Sequence, residues 1–190
     1  MVKILDRDDP VLRQKAKVVL PKDIKSPKIK KIIRDMKTAL DSQEDGVAIA
    51  APQIGFALRI FVVSPKVFDI IGKEEAKKGT KKITSQYIIC INPKIIKTSR
   101  EKMVVEEGCL SVRYLYGNVT RAEKVRIRAT NIAGKEFELG GSGLFAQIFQ
   151  HEIDHLDGVL FTDKATDIHE MPPASADAPA GKPEKTNIHD

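Results

Sequence analysis

Gln150-His151-Glu152-Ile153-Asp154-His155-Leu156-Asp157-Gly158 is the stretch on which the reading of this chain turns. It closes a run from Ser142 in which Leu144, Phe145, Ile148, Phe149, Ile153 and Leu156 recur at helical spacing, and Gly158 supplies a stop. The pattern predicts a helix over Ser142–Leu156, buried on most of its circumference. Positions four apart share one face a turn apart, so the imidazoles of His151 and His155 can reach a single cation. Glu152 is the next residue along and can lean over an open coordination position as a proton acceptor. The same letters also describe a buried helix with two hydrogen-bonded histidines, so this motif by itself leaves metal binding and plain packing both open.

A catalytic site of the zinc type holds its ion with three protein ligands, and the helix offers two. Downstream, His169 falls in a polar tail and His189 is nearly terminal. Upstream, Cys109 stands in Glu107-Gly108-Cys109-Leu110-Ser111, where Gly108 permits a bend after the apolar segment Met103–Val105. Its thiolate would complete a Cys, His, His set. Cys90 competes, but it sits inside Ile88-Ile89-Cys90-Ile91 and reads as packing. Two cysteines cannot build a disulfide framework, and nothing at the N-terminus resembles a signal or transit peptide, so a reducing, cytoplasmic setting is expected.

Around the predicted helix the chain reads as an α+β domain, with short, mostly antiparallel strands packed on a central helix. Ser26-Pro27 looks like an N-cap and a first-turn proline, followed by Ile29, Ile32, Ile33, Met36 and Leu40 at helical spacing: an N-terminal amphipathic helix. Strands are predicted over Ala57–Val63, Tyr87–Ile96, Met103–Val105, Lys124–Thr130 and Glu136–Leu139, the last two joined as a hairpin through Asn131-Ile132-Ala133-Gly134. The lysine-rich connection between Pro65 and Gln86 reads as an exposed loop.

With 42% hydrophobic and 31% charged residues in 190, the chain suits one globular domain and is too apolar for wholesale disorder. Its most apolar stretch, Val47 to Val63, is interrupted by Pro52, Gln53, Gly55 and Arg59, which excludes a membrane-spanning helix there. Composition shifts near Ala165. Beyond it come four prolines, no aromatic residue, and five acids against two lysines, so the expectation is a domain over 1–164 and a flexible Pro/Ala-rich tail over 165–190. The formal charge of +6 permits an anionic partner without requiring one.

Gly46-Val47-Ala48-Ile49-Ala50-Ala51-Pro52-Gln53-Ile54-Gly55 is a third unusual segment. Small residues between glycines suit a backbone that must approach another chain closely. Gln53, its one polar side chain, could donate to a developing oxyanion, although a tightly packed loop explains the segment equally well. The G-x-x-x-x-G-K phosphate-loop spacing is absent.

Taken in order, GVAIAAPQIG (46–55), EGCLS (107–111) and QHEIDHLDG (150–158) resemble the three signatures of the peptide deformylases, and the resemblance extends over roughly residues 1–163. It implies that Cys109, His151 and His155 hold one divalent metal ion with water in the fourth place, and that Glu152 is the general base and then the acid. It further implies oxyanion donors at Gln53 and the Leu110 N–H, and peptide pairing by Gly46, Val47, Ala48 and Gly108. The implied reaction is hydrolysis of the formyl group from the N-terminal methionine of nascent polypeptides. Fe(II) is the implied native ion, while the same N and S donors also accept Zn, Ni or Co. Formylmethionyl peptides are the implied partners, with ribosome association through the basic body as a further expectation, and neither membrane nor DNA as a partner.

Three positions depart from the family pattern. Ala48 replaces a second glycine, Arg113 replaces a proline after the EGCLS segment, and Gln147 stands where many members carry arginine. The methyl of Ala48 is expected to narrow the substrate approach, and Arg113 to bring positive charge to the peptide groove. Two other readings use the same residues: an amidase or peptidase of different specificity, and a catalytically silent, metal-stabilised protein that binds RNA through its lysines.

Overall fold

A computed structural model describes residues 2–75 and 86–171. Its elements run α1 (Pro27–Asp41), β1 (Ala48–Ala50), β2 (Ile60–Val63), α2 (Lys66–Glu75), β3 (Ile88–Thr98), β4 (Lys102–Cys109), β5 (Val112–Ala122), β6 (Lys124–Thr130), β7 (Glu136–Ser142), α3 (Leu144–Leu156) and β8 (Thr166–Glu170), with short 3-10 turns between some of them. This is the α+β architecture the pattern predicts.

A five-stranded antiparallel sheet, ordered β1-β2-β3-β6-β7, forms the body, and a three-stranded antiparallel sheet, β4-β5-β8, flanks it. The continuous apolar runs of β2 and β3 have a physical reason: their sheet is covered on both faces. Alternation along each strand divides the side chains between two cores. Ala48, Ala50, Phe61, Val63 and Cys90 face α3, where Ala146, Phe149, Ile153 and Leu156 meet them. Ile49, Ile60, Val62 and Ile91 face the opposite way, onto Ile29, Ile32, Ile33, Met36 and Leu40 of α1. Burying each such large side chain contributes about 1.5–3 kcal/mol. The cap of α1 forms as predicted, with Ser26 Oγ accepting from Ile29 N at 3.3 Å.

The central helix α3 ends where Gly158 adopts φ +78°. A side chain at that position would also meet Arg13 O at 2.7 Å, so only glycine allows the chain to turn there.

Four local expectations need correction. The connection after Pro65 begins as helix α2, not a loop, because Val67 anchors it in the core; residues 76–85 lie outside the described part. The predicted central helix starts at Leu144, since Ser142 still pairs with Lys124 as the end of β7. Strands β1 and β5 were not anticipated: β1 is three residues long, and β5 mixes arginine, tyrosine and glycine in place of a simple alternation. The folded part also continues past Ala165, because β8 pairs with β5; residues 172–190 lie outside the described part. Among the described residues, no helix is long and apolar enough to cross a membrane.

Candidate metal centre

The helix and the β4–β5 hairpin bring three ligating side chains together. One ligand atom each from Cys109, His151 and His155 lies within 4.8 Å of the others. Cys109 Sγ is 3.2 Å from His155 Nε2, and the two imidazole centroids are 4.9 Å apart. Cys109 reaches the helix because it ends β4 at a tight turn: it pairs with Val112, and the register shifts after Gly108. A sulfur and two imidazoles at this spacing form a soft donor set that fits a single Zn- or Fe(II)-type cation.

The electrostatics suit the same ion. Burial alone would raise the Cys109 thiol, but the neighbouring His155 and His151 outweigh it and bring its pKa down to about 5, so the ligating thiolate is the stable form. His151 is displaced well above its usual value: burial opposes this, and Cys109 and Glu107 override burial. A cation bound among these groups would take the place of the proton that His151 holds. Among the described residues, Glu152 Oε2 and His155 Nδ1 are buried polar atoms without a hydrogen-bond partner. Burial is the main cause that raises Glu152 to about 7.

His151 is oriented from behind. Its Nδ1 donates to Glu107 Oε2 at 2.9 Å, which leaves Nε2 as the nitrogen available to a cation. Glu107 is itself gripped by Arg121, with Nε and Nη2 each 2.8 Å from its two oxygens, and Arg121 Nη1 reaches Asp154 Oδ2 at 2.6 Å. Burial tends to raise Glu107, yet the Arg121 and His151 bonds hold it down at about 2. Neither Glu107 nor Arg121 was singled out from the sequence. A signal existed for Arg121, which shares its strand face with buried Gly117 and Val119 and so points inward.

A cleft of about 250 Å³ opens beside the three ligating groups. Gly46, Val47, Ala48, Gly108 and Leu110 line it together with Gln53, Cys109, His151 and Glu152. Gln53 is 2% exposed and fixed at both ends of its amide. Its Oε1 accepts from Ala50 N at 2.8 Å, while Nε2 donates to Ser111 Oγ at 3.2 Å and lies 3.5 Å from Cys109 Sγ. Every site residue singled out from the sequence therefore stands at the cleft, except His155, which is buried below it. The two rejected candidates among the described residues do not line it. Cys90 is fully buried in the sheet, His169 is half-exposed on β8, and His189 lies outside the described residues.

Two of the departures resolve differently from expectation. The Ala48 methyl packs in the core beneath α3, so most of it is withdrawn from the approach. Arg113 does border the cleft, but its charge is met by Asp45 Oδ2 at 2.8 Å and by a further hydrogen bond to Gln43 Oε1. Gln147 bonds to Glu106 O at 2.9 Å, an uncharged link between α3 and β4.

The polypeptide deformylase family profile matches residues 1–171. Peptide deformylase 2 of Clostridium acetobutylicum is 39% identical over 161 residues, covering 84% of this chain and 92% of that one. The chloroplastic peptide deformylase 1B of Solanum lycopersicum is 37% identical over 166 residues, and this chain, matched over 87% of its own length, spans 53% of that longer relative. The crystal structure of peptide deformylase from Thermotoga maritima superposes with a TM-score of 0.72 at 33% identity, covering 87% of this chain and 98% of that one.

Proposed function

We propose roles for the residues of this centre from one premise: the chain belongs to the polypeptide deformylase family. It is accordingly a metal-dependent hydrolase that removes the N-formyl group from the N-terminal methionine of nascent polypeptides. The observation that carries the assignment of roles is the meeting of Cys109, His151 and His155 within 4.8 Å, with the buried Glu152 next to them on the same helix.

Cys109 Sγ, His151 Nε2 and His155 Nε2 would hold one divalent cation, with Fe(II) our choice of native ion and Zn, Ni or Co accepted by the same donors. When bound, such an ion supplies Lewis-acid polarisation and makes water nucleophilic near neutral pH. Glu152 Oε2 takes the proton of the attacking water and passes it to the leaving amine nitrogen; a carboxylate poised near neutrality by burial suits both transfers. Gln53 Nε2, whose rotamer is locked by Ala50 and Ser111, and the Leu110 N–H donate to the oxygen that gains charge. Backbone groups of Gly46, Val47, Ala48 and Gly108 pair with the extended peptide. A formyl carbon bears only hydrogen, so a narrow approach to the cation would admit it and obstruct bulkier acyl groups.

Nascent chains that carry formylmethionine are made in a bacterial-type cytoplasm, and we place the enzyme there. We assign ribosome contact to the basic body, through attraction to phosphate; co-sedimentation that ignores salt would contradict that contact. The central test is turnover of formyl-Met peptides by anaerobically prepared protein, with metal content measured on the same sample. Glu152→Ala should abolish turnover while metal is retained. Equal hydrolysis of acetylated peptides, or full activity without metal, would overturn the reading.

A further inference from the structure

The strand β8 is built unlike the rest of the molecule. All five of its residues are exposed, and none joins any of the three hydrophobic cores. It contributes little apolar burial to stability, so its contacts call for another explanation. They converge on one wall of the cleft. His169 stacks on Tyr116, with centroids 6.2 Å apart and planes 26° from parallel, and its Nε2 lies 3.5 Å from Glu106 Oε1. Tyr116 in turn sits hard against Gly108: a Cβ there would lie 2.7 Å from Tyr116 Cε1. Glycine at 108 thus allows the ring to press directly on the backbone that precedes the ligand Cys109.

A second contact ends on the same wall. Tyr114 holds φ +66°, a left-handed conformation that a bulky L-residue keeps only where its surroundings impose it. Tyr114 O accepts from Met171 N at 2.9 Å, just beyond the end of β8. The residue is half-exposed and borders the cleft, as Gly108 and Tyr116 do.

We propose that β8 shapes the substrate-facing wall of the cleft, with His169 acting through Tyr116 on Gly108, and the Met171 N–H acting on Tyr114, as positioning residues for the formylated peptide. This rests on the deformylase reading and assigns a task to a segment whose composition looks like the start of a tail. Beyond the β5–β8 ladder itself, strand and wall are joined by an aromatic stack and by the Met171–Tyr114 backbone bond, and each of these two can be cut separately without opening a core.

The test is steady-state kinetics of the full-length, metal-loaded chain on formyl-Met-Ala-Ser and on the shorter substrate formyl-Met, with metal content and melting temperature recorded for every variant. His169→Ala should raise KM for the tripeptide about five- to tenfold, the worth of one aromatic pair, with kcat within about twofold and metal content unchanged. His169→Phe, which keeps a flat ring for Tyr116, should recover most of that loss. Met171→Pro removes the single N–H and should raise the tripeptide KM in the same way, with Met171→Ala as the matched control that keeps it. Formyl-Met, which has no chain to lay along the wall, should respond less than the tripeptide. If active wild-type protein is matched in KM by both His169→Ala and Met171→Pro, or if the variants lose kcat and melting temperature with KM intact, the inference is wrong and the deformylase reading stands. No turnover of either substrate by the wild-type chain would remove both.

Discussion

Glu107→Gln changes one buried oxygen into an amide nitrogen, and its consequences can be worked out bond by bond. Oε2 accepts two hydrogen bonds, from Arg121 Nη2 and His151 Nδ1, and Oε1 accepts one, from Arg121 Nε. The glutamine can leave its oxygen at the two-donor position, but its NH₂ then faces Arg121 Nε, donor against donor. Arg121 is 4% exposed and keeps Asp154 as its only remaining anionic partner among the described residues, so part of its charge is left uncompensated in the interior. Breaking a buried pair in this way costs about 3–5 kcal/mol. The carboxyl's own titration points to the same range. Its folded pKa of about 2 is depressed from 4.5, by bonds to Arg121 and His151 that overcome burial. A depressed carboxylate stabilises the fold fully above its unfolded pKa and loses that contribution as pH falls through the folded value, so the window runs from about 4.5 down to about 2. A difference of that size corresponds to about 3 kcal/mol. Urea denaturation of metal-free protein should show Glu107→Gln less stable by about 3 kcal/mol at pH 7, with the gap narrowing through the acid window. The loaded variant should also release metal to a chelator at about 10- to 100-fold lower competitor concentration, because His151 loses its orienting acceptor. Equal stability at pH 7 together with unchanged metal retention would refute the argument that this carboxylate holds the centre together.

Other outcomes follow from the same geometry. Gln53→Ala removes one oxyanion donor and should lower kcat by about 10²–10³, or about 2.7–4 kcal/mol, with metal content unchanged; a loss confined to KM would mean that Gln53 only shapes the cleft. Cys109→Ser should lose metal on dialysis, whereas Cys90→Ser should keep it and instead lower the urea midpoint, since a hydroxyl is buried with no polar neighbour planned for it; the opposite pattern would reverse the ligand choice. Glu152 must be ionised to take a proton, and burial places it at about 7 before any cation is considered. A bound cation favours the carboxylate, so the acid limb of kcat/KM should fall below about 7, activity rising with pH through it; a limb above 7 would exclude Glu152 as the group responsible.

Much of this was open to a reader of the letters alone. The two core helices announce themselves because burial on one face of a 3.6-residue repeat forces Ile29, Ile32, Ile33, Met36 and Leu40, and likewise Ile148, Phe149, Ile153 and Leu156, into register. His151 and His155 were readable as a pair for the same reason, since four residues along a helix is a short, fixed distance. The candidate cleft residues were found because three compact segments resemble the deformylase signatures. Elements without a periodic signature stayed hidden. Strand β1 is too short to show alternation, β5 interleaves its core residues Val112, Val119 and Ala122 with arginine, tyrosine and glycine, and β8 is held by pairing with β5 while offering little apolar surface.

What the sequence by itself determined, then, is whatever depends on spacing within one element: the helices, the histidine pair with its adjacent carboxylate, and the two-sided apolar strands. Tertiary structure alone decided what depends on distance between elements. It carried Cys109, which the sequence already favoured over Cys90, to α3 by the geometry of the β4–β5 hairpin, while sheet parity buries Cys90 in the core. It gave Glu107 and Arg121 to His151, neutralised Arg113 with Asp45, and laid β8 along the cleft wall. Side-chain periodicity is a property of a few consecutive bonds, whereas a contact between residues 109 and 155 exists only after the chain has closed a long loop and dehydrated both partners.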